Sequence, residues 1–422
     1  MNNKQKMILL AAMLLLFSCA RKKSAEVILN YMNPESSPNQ LTIMQKICSR
    51  FEKLHPGVRI NLITGVKTEK ILSTIASGSG LDVFFGYESI AEFYERNAVD
   101  ALDPYVEKFG FDKNEFFPVA LDLVTYRHKL LALPVQLKTT CLAYNKTLLE
   151  QNGLSLPPRS WTWKDFEKYI AKIYQYQETK NSDGKKKYPI ANIWFEEKLA
   201  VPDLFNEEQG KINPTAREKF IKKSGEQQKI FKYLPPPSEV AEMAGSGGAS
   251  SFTSLFQMQV SYLQYAPAWC LINLLPIKDF EWDVIPSPYW EDNNLFHVND
   301  AYLCLTSISR QKDITYKFMK FYVSQSGADA FARSKNGMSA RSSSTRSFFT
   351  APPASISEYV NILENQKLSD EKFRVKNFFQ LRQQFKSLPE SEELRTQKIT
   401  PEKYTDAYYN LAGKIIEPFS KQ

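Results

Sequence analysis

The sequence is poor in the residues and motifs from which most enzyme active sites are built. It has three histidines, His55, His128 and His297, and their spacing is not that of a metal site. It contains no Gly-x-Ser-x-Gly, no His-Glu-x-x-His and no Gly-x-x-x-x-Gly-Lys-Ser/Thr motif, and the last absence excludes a P-loop ATPase. We therefore predict a protein that is not an enzyme and holds no metal or cofactor. A glycosidase stays open on motifs alone, because two carboxylates leave no local signature.

Charge of one sign is nowhere concentrated in the sequence. The 54 Lys and Arg residues outnumber the 46 Asp and Glu residues, which gives a formal net charge of +8. The basic clusters, such as Lys185–Lys187 and Lys222–Lys223, are short and scattered. Since a nucleic-acid-binding surface needs a basic patch or stripe, we predict no nucleic-acid partner.

Cysteine is scarce, and no apolar run after residue 17 approaches the roughly 20 residues that span a bilayer. Cys48, Cys141, Cys270 and Cys304 are widely spaced in apolar surroundings, and none forms a Cys-x-x-Cys pair. We predict four buried thiols. One disulfide stays an open alternative, because an exported protein meets an oxidising compartment.

The N-terminus carries a targeting pattern. Two lysines precede the apolar run Met7–Phe17, which has the length of a signal peptide and is too short to cross a membrane. The step Leu16-Phe17-Ser18-Cys19 resembles a lipobox, although Phe17 is bulkier than the residue usual there. We predict a signal peptide over 1–18, acylation of Cys19 and a tether over 19–26, which anchor the protein to a membrane and face it toward the periplasm or the cell exterior. An ordinary secretory signal is the alternative.

The chain of 422 residues is too long for one ordinary hydrophobic core, so two lobes are expected. Val27–Tyr31, Val58–Leu62 and Leu81–Phe85 are predicted strands, with helices between them over Met44–Leu54 and Ile71–Ala76. This alternation predicts a parallel sheet covered on both faces by helices. The later predicted strands are Lys129–Pro134, Thr140–Asn145 and Glu281–Pro286, and the later predicted helices are Lys164–Tyr176, two segments around Thr215–Tyr233, Ile314–Tyr322 and a helical tail to Gln422.

Several sequence blocks, in one order from Ile28 to Arg341, resemble those of extracellular solute-binding proteins of the sugar-importer type, the group typified by maltose-binding protein. The most specific block runs from Leu142-Ala143-Tyr144-Asn145-Lys146 to Trp161-Thr162-Trp163 and is similar to the family's Y-Y-N-K-x-x-x-x-x-x-G-x-x-P-P-x-T-W. Leu81 and Ser339 depart from the pattern, since proline is usual at both positions. The other blocks are Phe51–Val58, Ser77–Val83, Gly110–Pro134, Phe256–Trp269, Glu281–Pro286 and Asn336–Arg341.

The resemblance implies an α/β protein with the two-lobe periplasmic-binding-protein fold, a central mostly parallel sheet in each lobe and a ligand cleft between the lobes. The expected first lobe is 27–135 plus 285–333, and the second is 136–284 plus 334–422. The implied protein is a monomer that captures a small solute, most simply a mono- or oligosaccharide, by closure of its lobes. It delivers the solute to the permease subunits of an ATP-driven (ABC) importer.

A sugar site needs aromatic rings for C–H faces and polar side chains for hydroxyl groups. Tyr87 and Glu88 follow a predicted strand at its carboxyl end, where open α/β sheets bind ligands. Trp269 stands where the resemblance places an aromatic that stacks on a sugar ring, with core packing as the alternative, whereas Trp161 and Trp163 are predicted to be structural. The remaining candidates are two residues of the first turn, one at the first crossing, an aromatic near Trp269, two residues expected to precede a strand, and a loop arginine: Asn33, Glu35, Gln136, Tyr265, Asn299, Asp300 and Arg341.

The sequence does not name the solute. A glycerol phosphate, a polyamine or a peptide are alternatives, and the basic balance favours an anion slightly over a polyamine. A receptor-type surface lipoprotein with the same fold and no transport role is a further alternative.

Overall fold

The computed structural model describes residues 26–180, 186–243 and 253–417. The predicted signal peptide, the predicted acylation site Cys19, nearly all of the predicted tether and Lys185 lie outside these residues. In the part of the chain that is described, no helix is both long and apolar enough to cross a membrane.

Strands and helices alternate along the described residues. The strands are β1 (Val27–Asn33), β2 (Val58–Thr64), β3 (Val83–Gly86), β4 (Thr125–Tyr126), β5 (Lys129–Leu130), β6 (Leu133–Asn145), β7 (Tyr188–Ile190), β8 (Phe205–Asn206), β9 (Lys211–Ile212), β10 (Ser261–Pro267), β11 (Trp282–Pro286), β12 (Leu295–Leu305), β13 (Met338–Ser339) and β14 (Lys367–Ser369). The helices of the first half are α1 (Pro38–Leu54), α2 (Thr68–Ala76), α3 (Ile90–Glu95), α4 (Asp103–Phe109), α5 (Pro118–Leu123), α6 (Lys146–Gln151), α7 (Trp163–Lys180) and α8 (Glu197–Ala200). Those of the second half are α9 (Arg217–Phe231), α10 (Pro237–Met243), α11 (Ser254–Gln257), α12 (Leu271–Leu274), α13 (Lys312–Tyr322), α14 (Gln325–Ser334), α15 (Ser342–Phe348), α16 (Ser357–Asn365), α17 (Phe378–Phe385), α18 (Pro389–Arg395) and α19 (Pro401–Ile415).

The main sheet of the described residues is mixed and runs in the order β2-β1-β3-β12-β6-β10-β7, with β11 and β13 also paired to β6 and β14 paired to β12. Its two ends are parallel, where β1 pairs with β2 and β3 and where β10 pairs with β7. Its centre is antiparallel, because β6 pairs in opposite direction with β12 and β10. The long central strands thus join two parallel ends into one sheet.

Strand β6 is longer than the sequence predicts. The two strands expected on either side of residues 135–139 are one continuous strand, Leu133–Asn145, preceded by the short β5. Its first part pairs with β12 and its second part with β10 and β11, so different neighbours stabilise the two halves. Proline at its second residue is tolerated because Pro134 is near the start of the strand.

Local sequence explains the start of the fold. Helix α1 begins with Pro38 at its first position, where the missing N–H costs no hydrogen bond, and it buries Met44, Ile47 and Phe51 along one face. Strand β3 is buried throughout and ends at Gly86, where a Cβ would lie 2.5 Å from the ring of Tyr302. The close approach of β12 therefore requires glycine at the end of β3.

Two hydrophobic cores lie on either side of the central strands. The cores do not follow the predicted lobe bounds, because the first core contains residues of both predicted lobes, such as Phe84 and Tyr359. The first core is centred on β1, β3, β12, α1 and α13 and includes Leu29, Phe51, Phe84, Tyr302, Phe318, Tyr322 and Tyr359. The second is centred on α7, β10, α9 and α19 and includes Trp161, Phe166, Phe220, Tyr262, Phe378 and Tyr408. The boundaries of the lobes stay a prediction.

The four cysteines of the described residues are buried free thiols, as predicted: Cys48, Cys141, Cys270 and Cys304. Burial raises the pKa of the Cys48 thiol to about 12. Burial raises the pKa of the other three thiols as well, so all four are un-ionised and unreactive at neutral pH.

Candidate functional site

A cleft of about 1000 Å³ is lined by residues from both predicted lobes. One side is formed by the turn after β1, the residues after β3 and part of β6. The other is formed by the segment before α8, the region around α12, and helices α17 and α19. The lining includes Glu35, Gln40, Tyr87, Glu88, Lys138, Trp194, Glu196, Glu197, Trp269, Asn273, Asn299, Glu371, Phe379, Arg382, Tyr404 and Tyr408.

The turn after β1 brings Glu35 to the cleft while Asn33 supports it from behind. Asn33 is fully buried, and its amide donates to the Tyr31 hydroxyl at 2.7 Å. Its Oδ1 accepts a hydrogen bond of 2.9 Å from the backbone N–H of Glu35, which is the geometry of an Asx turn. Asn33 is therefore placed to shape the turn, and Glu35 to meet a solute.

Tyr87 and Glu88 also border the cleft, at the carboxyl end of β3. The Glu88 carbonyl accepts a hydrogen bond of 2.5 Å from the Tyr302 hydroxyl, which fixes the backbone there. Burial raises the pKa of the Glu88 carboxyl, against the opposing charges of Arg382 and Lys372.

Strand β6 contributes Lys138 rather than Gln136 to the cleft lining. Gln136 is fully buried, and its Nε2 donates to the Asn336 carbonyl at 3.4 Å. The Lys138 Nζ lies 4.6 Å from the centre of the Tyr87 ring. Burial lowers the pKa of Lys138 to about 8, although the Glu35 carboxylate opposes this.

Two tryptophans give the cleft an aromatic wall, here defined as Trp194 and Trp269. Their ring centres are 6.2 Å apart and their planes are inclined by 31°. Trp194 is 43% exposed, and Trp269 packs against the first core with only part of its surface. Tyr265 lies behind this wall, 5% exposed, with its ring centre 5.6 Å from that of Trp194. Trp161 and Trp163, predicted to be structural, are buried in the second core.

A charged group at one end of the cleft, here called the acidic corner, consists of Glu196, Glu371, Arg382 and His297. The Arg382 guanidinium lies 2.9 Å from Glu371 Oε1, and Asn299 Nδ2 donates to the same oxygen at 3.1 Å. Burial alone would raise the pKa of Glu371, but the Arg382 charge and a hydrogen bond with Glu196 lower it to about 2. Burial and the Glu371 carboxylate raise the pKa of Glu196 well above its ordinary value. The two carboxyls thus differ in the direction of their pKa shift, with Glu196 raised and Glu371 lowered.

Asp300 does not reach the cleft. It was expected to precede a strand together with Asn299, but both residues lie inside β12, where successive side chains point to opposite faces. Asn299 consequently borders the cleft and Asp300 points into the protein, where it is 1% exposed and pairs with the Lys372 ammonium.

Arg341 lies at a different place in the molecule. Its guanidinium lies 2.6 Å from Glu115 Oε1, and its Nε donates to the Val323 carbonyl at 3.2 Å. Both residues belong to a separate cavity that Arg341 helps to line, outside the lining of the cleft. The structure therefore brings Glu35, Tyr87, Glu88, Trp269 and Asn299 together at the cleft, with Asn33, Gln136, Tyr265 and Asp300 behind it.

Sequence reasoning missed the residues of the opposite side, namely Trp194, Glu196, Glu371 and Arg382. A usable signal was the run Trp194-Phe195-Glu196-Glu197, which places an indole and a phenyl ring beside two carboxylates. It joins the two kinds of group that a sugar site needs. Glu371 and Arg382 gave no local signal, since Glu371 follows β14 and Arg382 lies on α17, far in sequence from Trp194 and Glu196.

Comparison with known proteins finds similarity to solute-binding proteins. Residues 34–329 match the model of the bacterial extracellular solute-binding protein family. A maltotriose-binding protein of Pyrococcus abyssi is 26% identical over 163 residues, which are 37% of this chain and 32% of that protein. The aligned part thus spans about a third of that relative.

Solved structures share the fold. An ABC substrate-binding protein of Listeria monocytogenes, solved in complex with cycloalternan, superimposes with a TM-score of 0.76 at 20% identity, over 92% of this chain and 98% of that one. The maltose-bound MalE3 protein of T. maritima gives a TM-score of 0.66 at 18% identity, over 91% and 98% of the two chains. The predicted two-lobe α/β fold is confirmed.

Proposed function

This chain belongs to the bacterial extracellular solute-binding proteins, and from that premise we propose that it captures a mono- or oligosaccharide in the cleft and delivers it to an ABC importer. The observation that carries the proposal is the aromatic wall, which faces carboxylate, amide and ammonium groups across the cleft. Ring faces suit sugar C–H patches and the polar groups suit sugar hydroxyls. The sugar-bound relatives support the same reading.

The size of the cleft favours more than one sugar ring. Its volume of about 1000 Å³ is at the upper end of the roughly 300–1,000 Å³ of small-molecule pockets. The exposed ring of Trp194 lies farther out than the partly packed ring of Trp269. Two rings at different depths can hold two successive sugar units.

A thermal-shift screen with mono- and oligosaccharides tests the proposal. A sugar at about a hundredfold excess over its Kd should stabilise the folded protein by about 2.7 kcal/mol and raise Tm. The double variant Trp194→Ala/Trp269→Ala should lose the shift. If no sugar raises Tm while a glycerol phosphate, a polyamine or a peptide does, the solute class is wrong.

Closure of the lobes is the proposed means of capture. A solute that contacts both sides of the cleft favours the closed form by its differential affinity. The proposed moving bodies are 27–135 with 285–333 and 136–284 with 334–422, and the permease subunits would bind their closed arrangement. Small-angle scattering should show a smaller radius of gyration with the sugar than without it. An unchanged radius with saturating sugar would speak for a receptor without a closure step.

We further propose that the captured sugar is returned unchanged and that the protein acts as a monomer. Incubation with candidate glycosides should leave them intact over hours. Turnover that Glu88→Gln or Glu371→Gln abolishes would instead identify a glycosidase.

As a member of an extracellular family the protein is exported, and the proposed anchor is acylated Cys19. Cys19→Ala should release the protein from the membrane fraction of cells, because the lipid chain supplies the attachment. Retention of the variant in the membrane fraction would contradict the lipobox interpretation.

A further inference from the structure

Three side chains of the acidic corner come from distant parts of the chain and converge on one point. His297 lies on β12, Glu196 directly precedes α8, and Glu371 follows β14. One ligand atom of each lies within 4.8 Å of those of the other two. The His297 Nε2 and a Glu371 oxygen are 4.0 Å apart, which is too long for a hydrogen bond.

The His297 ring is oriented as in a metal ligand. Its Nδ1 lies 3.0 Å from the Thr140 hydroxyl, and the ring is only 9% exposed. Its Nε2 is buried and has no hydrogen-bond partner among the described residues. Metal-bound histidines are held in this way, with one ring nitrogen on an oxygen and the other directed at the ion.

There is room for an ion beside these atoms. A small cavity of about 40 Å³ adjoins the cleft and is lined by His297, Glu196, Thr140 and Tyr265. Glu196 borders this cavity and the cleft alike. A single ion at the corner would therefore be reached from the cleft.

The charges around the corner also call for a cation. Two buried carboxyls in contact are unfavourable when both ionise, unless a proton or a metal lies between them. Arg382 contacts Glu371 at Oε1 and offsets its charge, and Lys372 is occupied by Asp300. The other Glu371 oxygen and the Glu196 carboxyl face His297.

We propose that His297, Glu196 and Glu371 form a binding site for a divalent transition-metal ion of the Zn²⁺ type, with its open coordination positions toward the cleft. An imidazole and two carboxylates suit Zn²⁺, Co²⁺ or Mn²⁺, whereas Ca²⁺ takes six to eight oxygens. Bond lengths of about 2.0–2.2 Å require the ligand atoms to approach one another, which rotation of the two glutamate side chains allows.

Titration with metal alone tests this site independently of any sugar. The full-length protein is stripped with EDTA and titrated with ZnCl₂ by calorimetry, and one ion per chain is expected. His297→Ala and Glu371→Gln should each weaken the binding about a hundredfold or more. His128→Asn is the matched control, because His128 is exposed and its positive φ of 61° is one that asparagine tolerates. Its affinity should equal that of the wild type.

Co²⁺ provides a second readout. The visible absorption of bound Co²⁺ should be intense, as in a four- or five-coordinate site, and should be lost in Glu196→Gln, a variant that keeps the shape of the side chain if His297→Ala fails to fold. Absence of a one-to-one site, or affinity that is equal in the wild type and in the His297 and glutamate variants, would overturn the proposal. Sugar binding in the thermal-shift screen is unaffected by that outcome, so the two proposals fail separately.

Discussion

Glu371 and Lys372 are neighbours in the sequence, carry opposite charges and lie in very different surroundings. The side chain of Lys372 points into the protein, where it and its partner Asp300 are 3% and 1% exposed. The side chain of Glu371 points to the cleft, where it and Arg382 are 10% and 30% exposed. One pair is enclosed by protein and the other borders the space for the solute.

The Asp300–Lys372 pair holds the fold, whereas the Glu371–Arg382 pair is available for binding. Asp300 Oδ2 has no hydrogen-bond partner among the described residues, so Asp300 depends on Lys372 for compensation. Glu371 has Arg382, Asn299 and Glu196 around it. A change at the interior pair should therefore cost stability, and a change at the cleft pair should mainly alter what the cleft binds.

The largest expected effect on stability follows from removing the charge of only one partner of the interior pair. Asp300→Asn leaves the Lys372 ammonium buried without a counter-charge, and we expect the free energy of unfolding to fall by about 3–5 kcal/mol. Glu371→Gln is the matched change at the cleft, and it should cost no more than about 1–2 kcal/mol. Urea unfolding measures both.

The double variant Asp300→Asn/Lys372→Met is the control, since it removes both interior charges and should recover much of the lost stability. If Asp300→Asn and Glu371→Gln lowered the free energy of unfolding equally, the two pairs would be energetically alike. The distinction between a pair that holds the fold and a pair available for binding would then be wrong.

The next effect compares a tryptophan that borders the cleft with a tryptophan that lies away from it. Trp269 borders the cleft, whereas Trp282 is also partly buried against the first core but lies outside the cleft lining. Trp269→Ala removes apolar contact worth about 1.5–3 kcal/mol and should weaken sugar binding roughly ten- to a hundredfold. Trp282→Ala should lower stability and leave the affinity of the folded protein unchanged.

Calorimetric titration and Tm, measured on one sample of each variant, separate the cases. A stability loss of about 3–5 kcal/mol in Trp269→Ala, with normal affinity in the folded fraction, would make Trp269 a core residue instead.

The sequence allowed the cleft to be predicted on one side more fully than on the other. Tyr87 and Glu88 could be predicted because a buried strand places whatever follows it at the ligand-binding edge of a sheet. Asn299 and Asp300 were expected to precede a strand, so their alternation between cleft and interior was not foreseen. That alternation only becomes visible once β12 is known to run through both residues.

The acidic corner could not be predicted, for a related reason. Glu196, His297 and Glu371 are far apart in sequence, and metal-site motifs describe only ligands that share one local segment. Long-range pairing of β12 with β14 brings Glu371 near His297, and the contact of α8 with β12 brings Glu196 to the same place. The aromatic and acidic run at Trp194–Glu197 was a local pattern that could have indicated this side of the cleft in addition to Trp269.

The smallest effect tests a charge on the border between the two regions. Lys138 lies on β6 beside Tyr87, and the charged groups that act on it are Glu35, Lys372, Asp300 and Glu371. Burial lowers its pKa to about 8, so the folded protein loses this proton near pH 8. An unfolded lysine keeps its proton to about pH 10.4.

Between these two pH values the unfolded state binds more protons than the folded state, so this group makes stability rise with pH. The slope is at most about 1.4 kcal/mol per pH unit, and partial exposure of the side chain reduces the total to about 1–2 kcal/mol. Urea unfolding of the wild type and of Lys138→Met from pH 7.5 to 10 isolates the contribution, because titration of the other groups cancels in the difference. The stability of the wild type relative to the variant should rise through this range. A difference that stays flat would mean that Lys138 keeps an ordinary pKa, and that its ammonium belongs with the solvent-accessible charges of the cleft.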